Sequence, residues 1–159
     1  MNQQATSKAR EGKAATLKKA FSRETSVSIT ISADPAILWA LLTHAADIPR
    51  WNSTVVSVKG EIKPGGTIEL KSTLDEKRTF KLKIKEFVLE KRLVWGDAQG
   101  SRIYTLDKGA GGVLFTMSER IGGPLFPLFA NMIPSFDESF EQFAADLKKE
   151  AETIQRSKS

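Results

Sequence analysis

The chain has 159 residues, of which 40% are apolar and 27% charged, and it carries a formal net charge of +5 without any cysteine. This length predicts one ordinary domain that buries roughly 70% of its unfolded surface, and no apolar run approaches the roughly 20 residues that cross a bilayer. The lack of cysteine excludes a disulfide framework, a thiolate metal site and a thiol nucleophile, and it is compatible with the reducing cytoplasm, where we expect the protein.

The excess of positive charge lies in residues 1–23. Six basic residues stand there against Glu11 alone, so this segment accounts for the whole +5 and the rest of the chain is neutral. The domain body therefore offers no bulk basic surface to nucleic acid. We interpret residues 1–23 as a basic, mobile or weakly helical leader; a transit peptide, an auxiliary helix and a tether to an anionic surface are the alternatives.

Residues 25–50 predict a strand followed by two short helices. Period-two alternation indicates a half-buried strand over residues 25–31, and Asp34 with Pro35 is typical of a helix start. That helix runs to about His44, and a short turn over residues 46–50 follows. The only histidine is best explained as a surface cap at the helix end, so neither a metal site nor another cofactor is predicted.

Six further strands are predicted, joined mostly by connections of hairpin length. They cover residues 54–62, 67–73, 79–87, 91–96, 102–107 and 113–119. Centring the hairpin of residues 67–87 on Glu76 pairs Leu70 with Leu82, which gives one apolar and one polar face. A run of such hairpins predicts an α+β fold with a seven-stranded antiparallel sheet, because a parallel sheet needs long crossovers.

The C-terminal part of the chain predicts a long amphipathic helix. After Ser135, apolar residues recur at helical spacing as far as Ile154, and Ser135 with Glu138 fits a capping box. Upstream, three prolines interrupt the apolar segment of residues 124–134. Since each proline removes a backbone donor and crowds the preceding turn, we predict a lid over one end of the domain, hinged at the glycines of 122–123.

Short motifs along the chain carry a resemblance to a known superfamily. They are PAILW (35–39), PRWN (49–52), PGGT (64–67), RLVW (92–95), YTL (104–106) with glycines at 111–112, FTMSE (115–119) and SFEQFAADLK (139–148). In this order they resemble the START-related helix-grip superfamily, and within it the polyketide cyclase/dehydrase and lipid-transport group (SRPBCC). The resemblance implies a curved sheet wrapped around the C-terminal helix, with a cavity between them, in a single START-like ligand-binding domain over residues 24–156.

Strand parity and the helical stripe point a set of large apolar side chains into that cavity. We expect about half of the set to be core and the rest to line a pocket of about 300–1,000 Å³. The candidate cavity residues are Trp51, Leu70, Phe80, Leu82, Trp95, Tyr104, Phe115, Met117, Leu125, Phe129, Met132, Phe136 and Phe140.

Arg102, Tyr104 and Glu119 are the polar candidates. The last hairpin, turning over residues 108–112, places Tyr104 opposite Phe115, and parity points Arg102 and Glu119 inward as well. Buried charges need partners, so the two side chains either pair or orient a ligand head group, unless both reach water at the strand ends. They and Tyr104 are also the only candidates for acid–base catalysis.

Three functions follow as hypotheses. The first is binding or transport of a small hydrophobic molecule or lipid, without catalysis, driven by apolar surface removed from water. The second is an enzyme of the cyclase/dehydratase sort, which would need Glu119, Tyr104 or Arg102 as its acid–base groups. The third is a protein-interaction module resembling chaperone activators or antitoxins. No oligomeric state is specified by the sequence.

Overall fold

In a computed structural model, residues 10–158 of the chain are described. The strands are β1 (Ala15–Lys18), β2 (Ser22–Ile31), β3 (Val55–Gly60), β4 (Thr67–Ser72), β5 (Asp75–Val88), β6 (Arg92–Gly96), β7 (Gly100–Gly109) and β8 (Gly112–Gly122). The helices are α1 (Pro35–Thr43), α2 (Ile48–Trp51), α3 (Phe126–Phe129) and α4 (Asp137–Ser157). Short 3-10 turns over Ala45–Asp47 and Ala130–Met132 precede α2 and follow α3.

The strands form one antiparallel sheet in the order β1-β2-β8-β7-β6-β5-β4-β3. The sheet has eight strands where the sequence predicted seven, because β1 and the start of β2 come from the segment interpreted as a leader. The period-two pattern extends back to Arg23, and the backbone N–H groups of Ala14 and Thr30 donate to Glu141 (3.1 Å) and Glu11 (2.6 Å). These bonds hold residues 11–23 on the domain. Residues 1–9 of the predicted leader lie outside the described part of the chain.

The long helix α4 packs its apolar stripe against the sheet. Its buried residues are Phe140, Phe143, Ala144, Leu147 and Ala151. The capping box predicted at the helix start is not formed: α4 begins at Asp137, whose backbone N–H donates to the Ser135 hydroxyl (3.3 Å). The backbone carbonyl of Phe136 accepts the first helical bond from the Phe140 N–H (2.8 Å). The helix therefore starts one residue later than a Ser135 cap would require.

The predicted register of the β4–β5 hairpin is wrong by two residues. Leu70 pairs with Phe80, not with Leu82, and Ser72 pairs with Asp75 after a bulge. The Ser72 hydroxyl accepts the backbone N–H of Leu74 (3.2 Å), which stabilises a turn tighter than the predicted loop over residues 74–78. Because a shift of two residues preserves side-chain parity, the apolar face remains on the inside.

The β7–β8 hairpin shows the same kind of correction. Gly109 pairs with Gly112, so the turn is two residues long and Tyr104 lies opposite Met117 instead of Phe115. Gly112 has φ +126°, and a Cβ there would stand 2.4 Å from the backbone carbonyl oxygen of Ile31. Only glycine fits that position, which fixes where the hairpin turns. The same register places Arg102 opposite Glu119.

Candidate functional site

A pocket opens at one end of the groove between the sheet and α4. Its volume is about 210 Å³, smaller than the volume predicted from the sequence. Its walls come from the β4–β5 hairpin, the β6–β7 connection, the paired ends of β7 and β8, and the segment before α4. Six of the predicted cavity residues line it: Leu70, Phe80, Leu82, Trp95, Met132 and Phe136.

The apolar wall follows from the alternation of β4 and β5. Leu70 and Leu82 are buried on the inner face, and Phe80 between them is half-buried at the pocket wall. The Arg78 guanidinium lies 4.6 Å from the centre of the Phe80 ring. Arg78 lines the pocket as well, so the cation and the ring lie together at its wall. The hairpin thus supplies a hydrophobic surface with a charged rim.

The segment before α4 is fastened to the sheet by Arg23. The guanidinium donates to the backbone carbonyls of Ile133 (3.2 Å) and Pro134 (2.8 Å), and it lies 4.8 Å from the centre of the Phe136 ring. Because all three of these residues line the pocket, Arg23 holds that wall in position. Arg23 is itself buried at the start of β2.

The predicted lid, residues 122–134, covers the pocket with its last residues only. Gly123 has φ +133°, a conformation that favours glycine and suits the predicted hinge. The helix α3 buries Phe126, and Leu125 directly before it is exposed. Met132 lines the pocket although 82% of it is exposed. Whether this segment moves as a lid remains a prediction.

Arg102 and Glu119 form an ion pair at the inner wall of the pocket. Arg102 Nε donates to Glu119 Oε1 at 3.1 Å, and the side chains are 12% and 18% exposed. The Arg102 guanidinium also lies 5.2 Å from the Phe140 ring centre. Burial, the largest single influence, acts to lower the pKa of Arg102, but the interactions with Glu119 and Tyr104 together outweigh it and the pKa is raised. The two side chains therefore pair, as one of the two readings of the sequence expected, and both line the pocket.

Tyr104 is buried next to this ion pair, near enough to the Arg102 guanidinium for the two side chains to interact. It is 1% exposed, and its hydroxyl makes no hydrogen bond within residues 10–158. Burial raises the pKa of Tyr104 to about 12, although the nearby charge of Arg102 acts to lower it. The neighbouring Trp95, whose ring centre is 5.1 Å away, has an unbonded indole N–H as well.

The other predicted cavity residues are not part of the pocket wall. Five of them are buried in the core: Trp51, Tyr104, Phe115, Met117 and Phe140. Four aromatic rings pack face to face or edge to face there: Phe143 of α4 with Trp51, Tyr104 and Phe115 at 5.7, 5.7 and 6.4 Å between ring centres. Leu125 and Phe129 lie in the lid away from the pocket wall, because α3 turns its Phe126 side inward.

Sequence reasoning missed Arg23, Ile121 and Ile133. Arg23 was assigned to the basic leader, although it continues the alternation of Thr25 and Val27 and this pattern identifies an inward position. Ile121 continues the inward parity of β8 in the same way, past the residue at which the strand was ended. No sequence signal marked Ile133, whose place depends on how the proline-rich segment turns.

Within residues 10–158, no helix has both the length and the apolar character needed to cross a membrane. In the same range, no three His, Asp or Glu side chains are grouped as metal ligands would be.

The fold is similar to those of several solved structures. A protein from Nitrosomonas europaea has a TM-score of 0.64 at 14% identity, over 88% of this chain and 99% of that one. A protein from Rhodobacter sphaeroides has a TM-score of 0.63 at 21% identity, over 88% and 99%. DynU16, a protein in the dynemicin biosynthetic locus, has a TM-score of 0.62 at 15% identity, over 83% of this chain and 48% of that one. At these identities the similarity shows the fold.

The sequence also matches a family model over most of its length. Residues 22–152 fit the model described as polyketide cyclase / dehydrase and lipid transport, whereas no curated protein matches the chain. The matched range begins with β2 and ends within α4, so it includes every wall of the pocket. The chain therefore belongs to the polyketide cyclase/dehydrase and lipid transport family.

Proposed function

We propose that the protein binds a small hydrophobic molecule in the pocket between the sheet and the start of α4. The observation that carries the proposal is the pocket itself, about 210 Å³ in volume, with Phe80, Leu82 and Phe136 on its walls. Apolar surface that a guest removes from water contributes about 25 cal/mol per Å² before the costs of binding. A cavity of about 150 Å³ lined by such side chains holds benzene, so this pocket accepts a ring with a small substituent.

Binding without catalysis is preferred to an enzymatic function. A general acid or base works best with a pKa near the operating pH, and burial raises the pKa of Tyr104 to about 12. Glu119 is bonded to Arg102, which leaves no carboxylate on the pocket wall unpaired apart from those at its rim. An interaction module with a filled core is disfavoured by the pocket, and a two-chain lipid needs far more room than the pocket provides.

The test is a binding experiment with single-ring probes on the full chain. Isopropylbenzene and acetophenone are titrated in turn, and side-chain methyl groups are followed by NMR. We expect saturable shifts at the methyls of Leu70, Leu82 and Ile121, which line the pocket. The methyls of Leu38 and Leu147, fully buried in the core, serve as the internal reference and should move little.

Matched variants locate the site. Phe80→Arg puts a charge on the pocket wall and should abolish the saturable shifts, whereas Phe80→Leu should keep them. Leu128→Arg, at a residue of α3 that is exposed and away from the pocket, is the control for an added charge. The proposal fails if neither probe gives saturable shifts at the pocket methyls and an organic extract of the purified protein contains no apolar compound by mass spectrometry.

A further inference from the structure

We infer that the surface formed by the β1–β2 turn and residues 122–132 docks on lipid bilayers that contain anionic lipids. The inference goes beyond the proposed function, because it concerns the outer surface of the domain and holds whether or not the pocket carries a guest. It follows from the exposure of large apolar side chains, from the way in which the two segments are joined, and from the charges beside them.

Four large apolar side chains of these two segments are open to solvent. Phe21 lies in the turn, and Leu125, Leu128 and Met132 follow β8; each is between 60% and 82% exposed. They are four of the nine exposed large apolar side chains within residues 10–158. Contiguous exposed apolar side chains mark surfaces that contact a protein or a membrane. This end of the domain is therefore an interaction surface.

The two segments are adjacent, so their side chains share one surface. The backbone N–H of Gly123 donates to the carbonyl of Phe21 at 3.1 Å. Arg23, which follows the turn, anchors residues 133–134 through its bonds to both carbonyls. The exposed side chains are thus held together at one end of the domain, beside the pocket that Met132 lines.

The backbone around α3 suits contact with lipid. The hydrocarbon of a bilayer offers no partner to an unpaired N–H group, so each such group opposes insertion. Pro124 and Pro127 have no N–H group, and those of Phe126 and Leu128 donate to the carbonyls three residues earlier, at 3.1 and 3.0 Å. The prolines thus remove donors that lipid contact would leave without a partner.

The charges beside the apolar side chains indicate the kind of bilayer. Residues 121–136 contain no charged side chain, whereas Lys18 and Lys19, at the end of β1 and in the turn, are exposed. Lys18 pairs with Arg23 across β1 and β2, so its side chain leaves the sheet on the face toward the same segment. The nearby carboxylate of Asp97 accepts two backbone N–H groups of its own loop, at 2.8 and 3.1 Å. An apolar surface with a positive border complements anionic head groups.

A second copy of the chain complements this surface less well. Dimers of identical chains are most often two-fold symmetric, and such an interface brings the same patch of both subunits together. That contact would place Lys18 and Lys19 of one copy near the same lysines of the other, and like charges repel. The anionic bilayer is therefore the occupant that the charges favour.

The apolar contact is tested by co-sedimentation of the full chain with phosphatidylcholine vesicles, with and without phosphatidylserine. Leu128→Ser removes an exposed side chain from the surface. Its matched control, Leu89→Ser, removes an exposed leucine from the β5–β6 turn, at the end of β6 remote from residues 122–132. Since burial of a leucine side chain corresponds to about tenfold in affinity or more, we expect Leu128→Ser to bind vesicles with phosphatidylserine about tenfold more weakly. Leu89→Ser should bind like the wild type.

A second pair of variants tests the charges. Lys18→Gln/Lys19→Gln removes two charges from the border, and Lys81→Gln/Lys83→Gln removes two exposed charges from the outer face of β5. One basic residue at an anionic membrane corresponds to about a fivefold change in affinity. We expect the first variant to lose about tenfold or more with phosphatidylserine present, and the second less than about twofold. The wild type should bind phosphatidylcholine alone more weakly than the mixed vesicles.

Three outcomes would overturn the inference. The wild-type chain sediments with neither kind of vesicle, or the two leucine variants bind equally, or the two lysine variants do. A dimer in light scattering that Leu128→Ser converts to a monomer would assign the surface to a second copy and overturn it as well. The titrations of the pocket with isopropylbenzene and acetophenone use no vesicles, so their failure would contradict the proposed function alone.

Discussion

The two ends of the groove under α4 face the same apolar stripe, but one end is packed and the other is open. At the packed end, Phe143 meets Trp51, Tyr104 and Phe115, with ring centres 5.7 to 6.4 Å away. At the open end, Phe136, which directly precedes α4, stacks on Phe140 of that helix, 5.9 Å away, and meets the guanidinium of Arg23 from the sheet. Both ends of the groove have a phenylalanine on the helix side, so the difference in packing comes from the side chains opposite it.

The open end stays open because the sheet places charged side chains there. Toward the pocket, the inward positions of β7 and β8 change from Tyr104 and Met117 to Arg102 and Glu119. A paired charge cannot be packed over by apolar side chains without losing its remaining solvent, and that loss is expensive. We conclude that polar strand ends facing an aromatic helix start keep this space unfilled.

The largest effect is expected from truncating the aromatic residue at each end in turn. Phe143→Ala should lower the free energy of unfolding by about 3–5 kcal/mol, because it leaves a cavity among three rings that cannot collapse. Phe136→Ala should cost about half as much, since Phe136 already borders a pocket and loses fewer contacts. Urea unfolding followed by circular dichroism measures both. Equal losses would show that the open end is packed as tightly as the other.

The next prediction concerns the ionisation of Tyr104, which lies at the packed end. It is the only tyrosine, so the ultraviolet absorbance of tyrosinate reports on it alone. In the folded protein burial raises the pKa of Tyr104 to about 12, whereas in the unfolded chain it should be about 10. A folded-state midpoint near 10 would mean that water reaches the hydroxyl and that the packed end is looser than described.

The raised pKa has a consequence for stability at high pH. Between pH 10 and 12 the unfolded chain releases the tyrosine proton and the folded chain keeps it, so stability falls as pH rises through this window. The stabilising contribution is fully present below pH 10, and its loss amounts to at most about 3 kcal/mol by pH 12. Tyr104→Phe lacks this group, and its unfolding free energy should fall less steeply over the same range. Parallel pH profiles for the two proteins would contradict the prediction.

The sequence predicted the faces of the sheet well and the partners across it poorly. Leu70 and Leu82 were placed on the inner face because period-two alternation determines parity. Their pairing was wrong by two residues, because such a shift leaves parity unchanged and depends on local turn chemistry, here the Ser72 hydroxyl. The same ambiguity led to the prediction of Tyr104 opposite Phe115, whereas it lies opposite Met117.

The candidate site was predictable only in part for a similar reason. Trp95 and Phe115 both satisfy the inward pattern, yet only Trp95 lines the pocket. Whether an inward side chain becomes core or pocket wall depends on which ring of α4 faces it, and that depends on long-range packing. Arg23 was missed for another reason. A segment rich in lysine and arginine is typical of a solvated surface, whereas this one arginine donates to two backbone carbonyls.

The smallest effect, and the sharpest test of the open end, is expected from Arg23→Met. Methionine keeps the apolar part of the side chain and loses the bonds to Ile133 and Pro134, which should cost about 1–2 kcal/mol of unfolding free energy. Amides of residues 123–136 should exchange their hydrogens faster, because this segment loses its anchor, while those around Leu147 keep their rate. Arg120→Met, at an exposed position of β8, is the matched control and should change neither. Uniformly faster exchange along α4 would show that Arg23 supports the whole domain and that the open end is not a separate unit of stability.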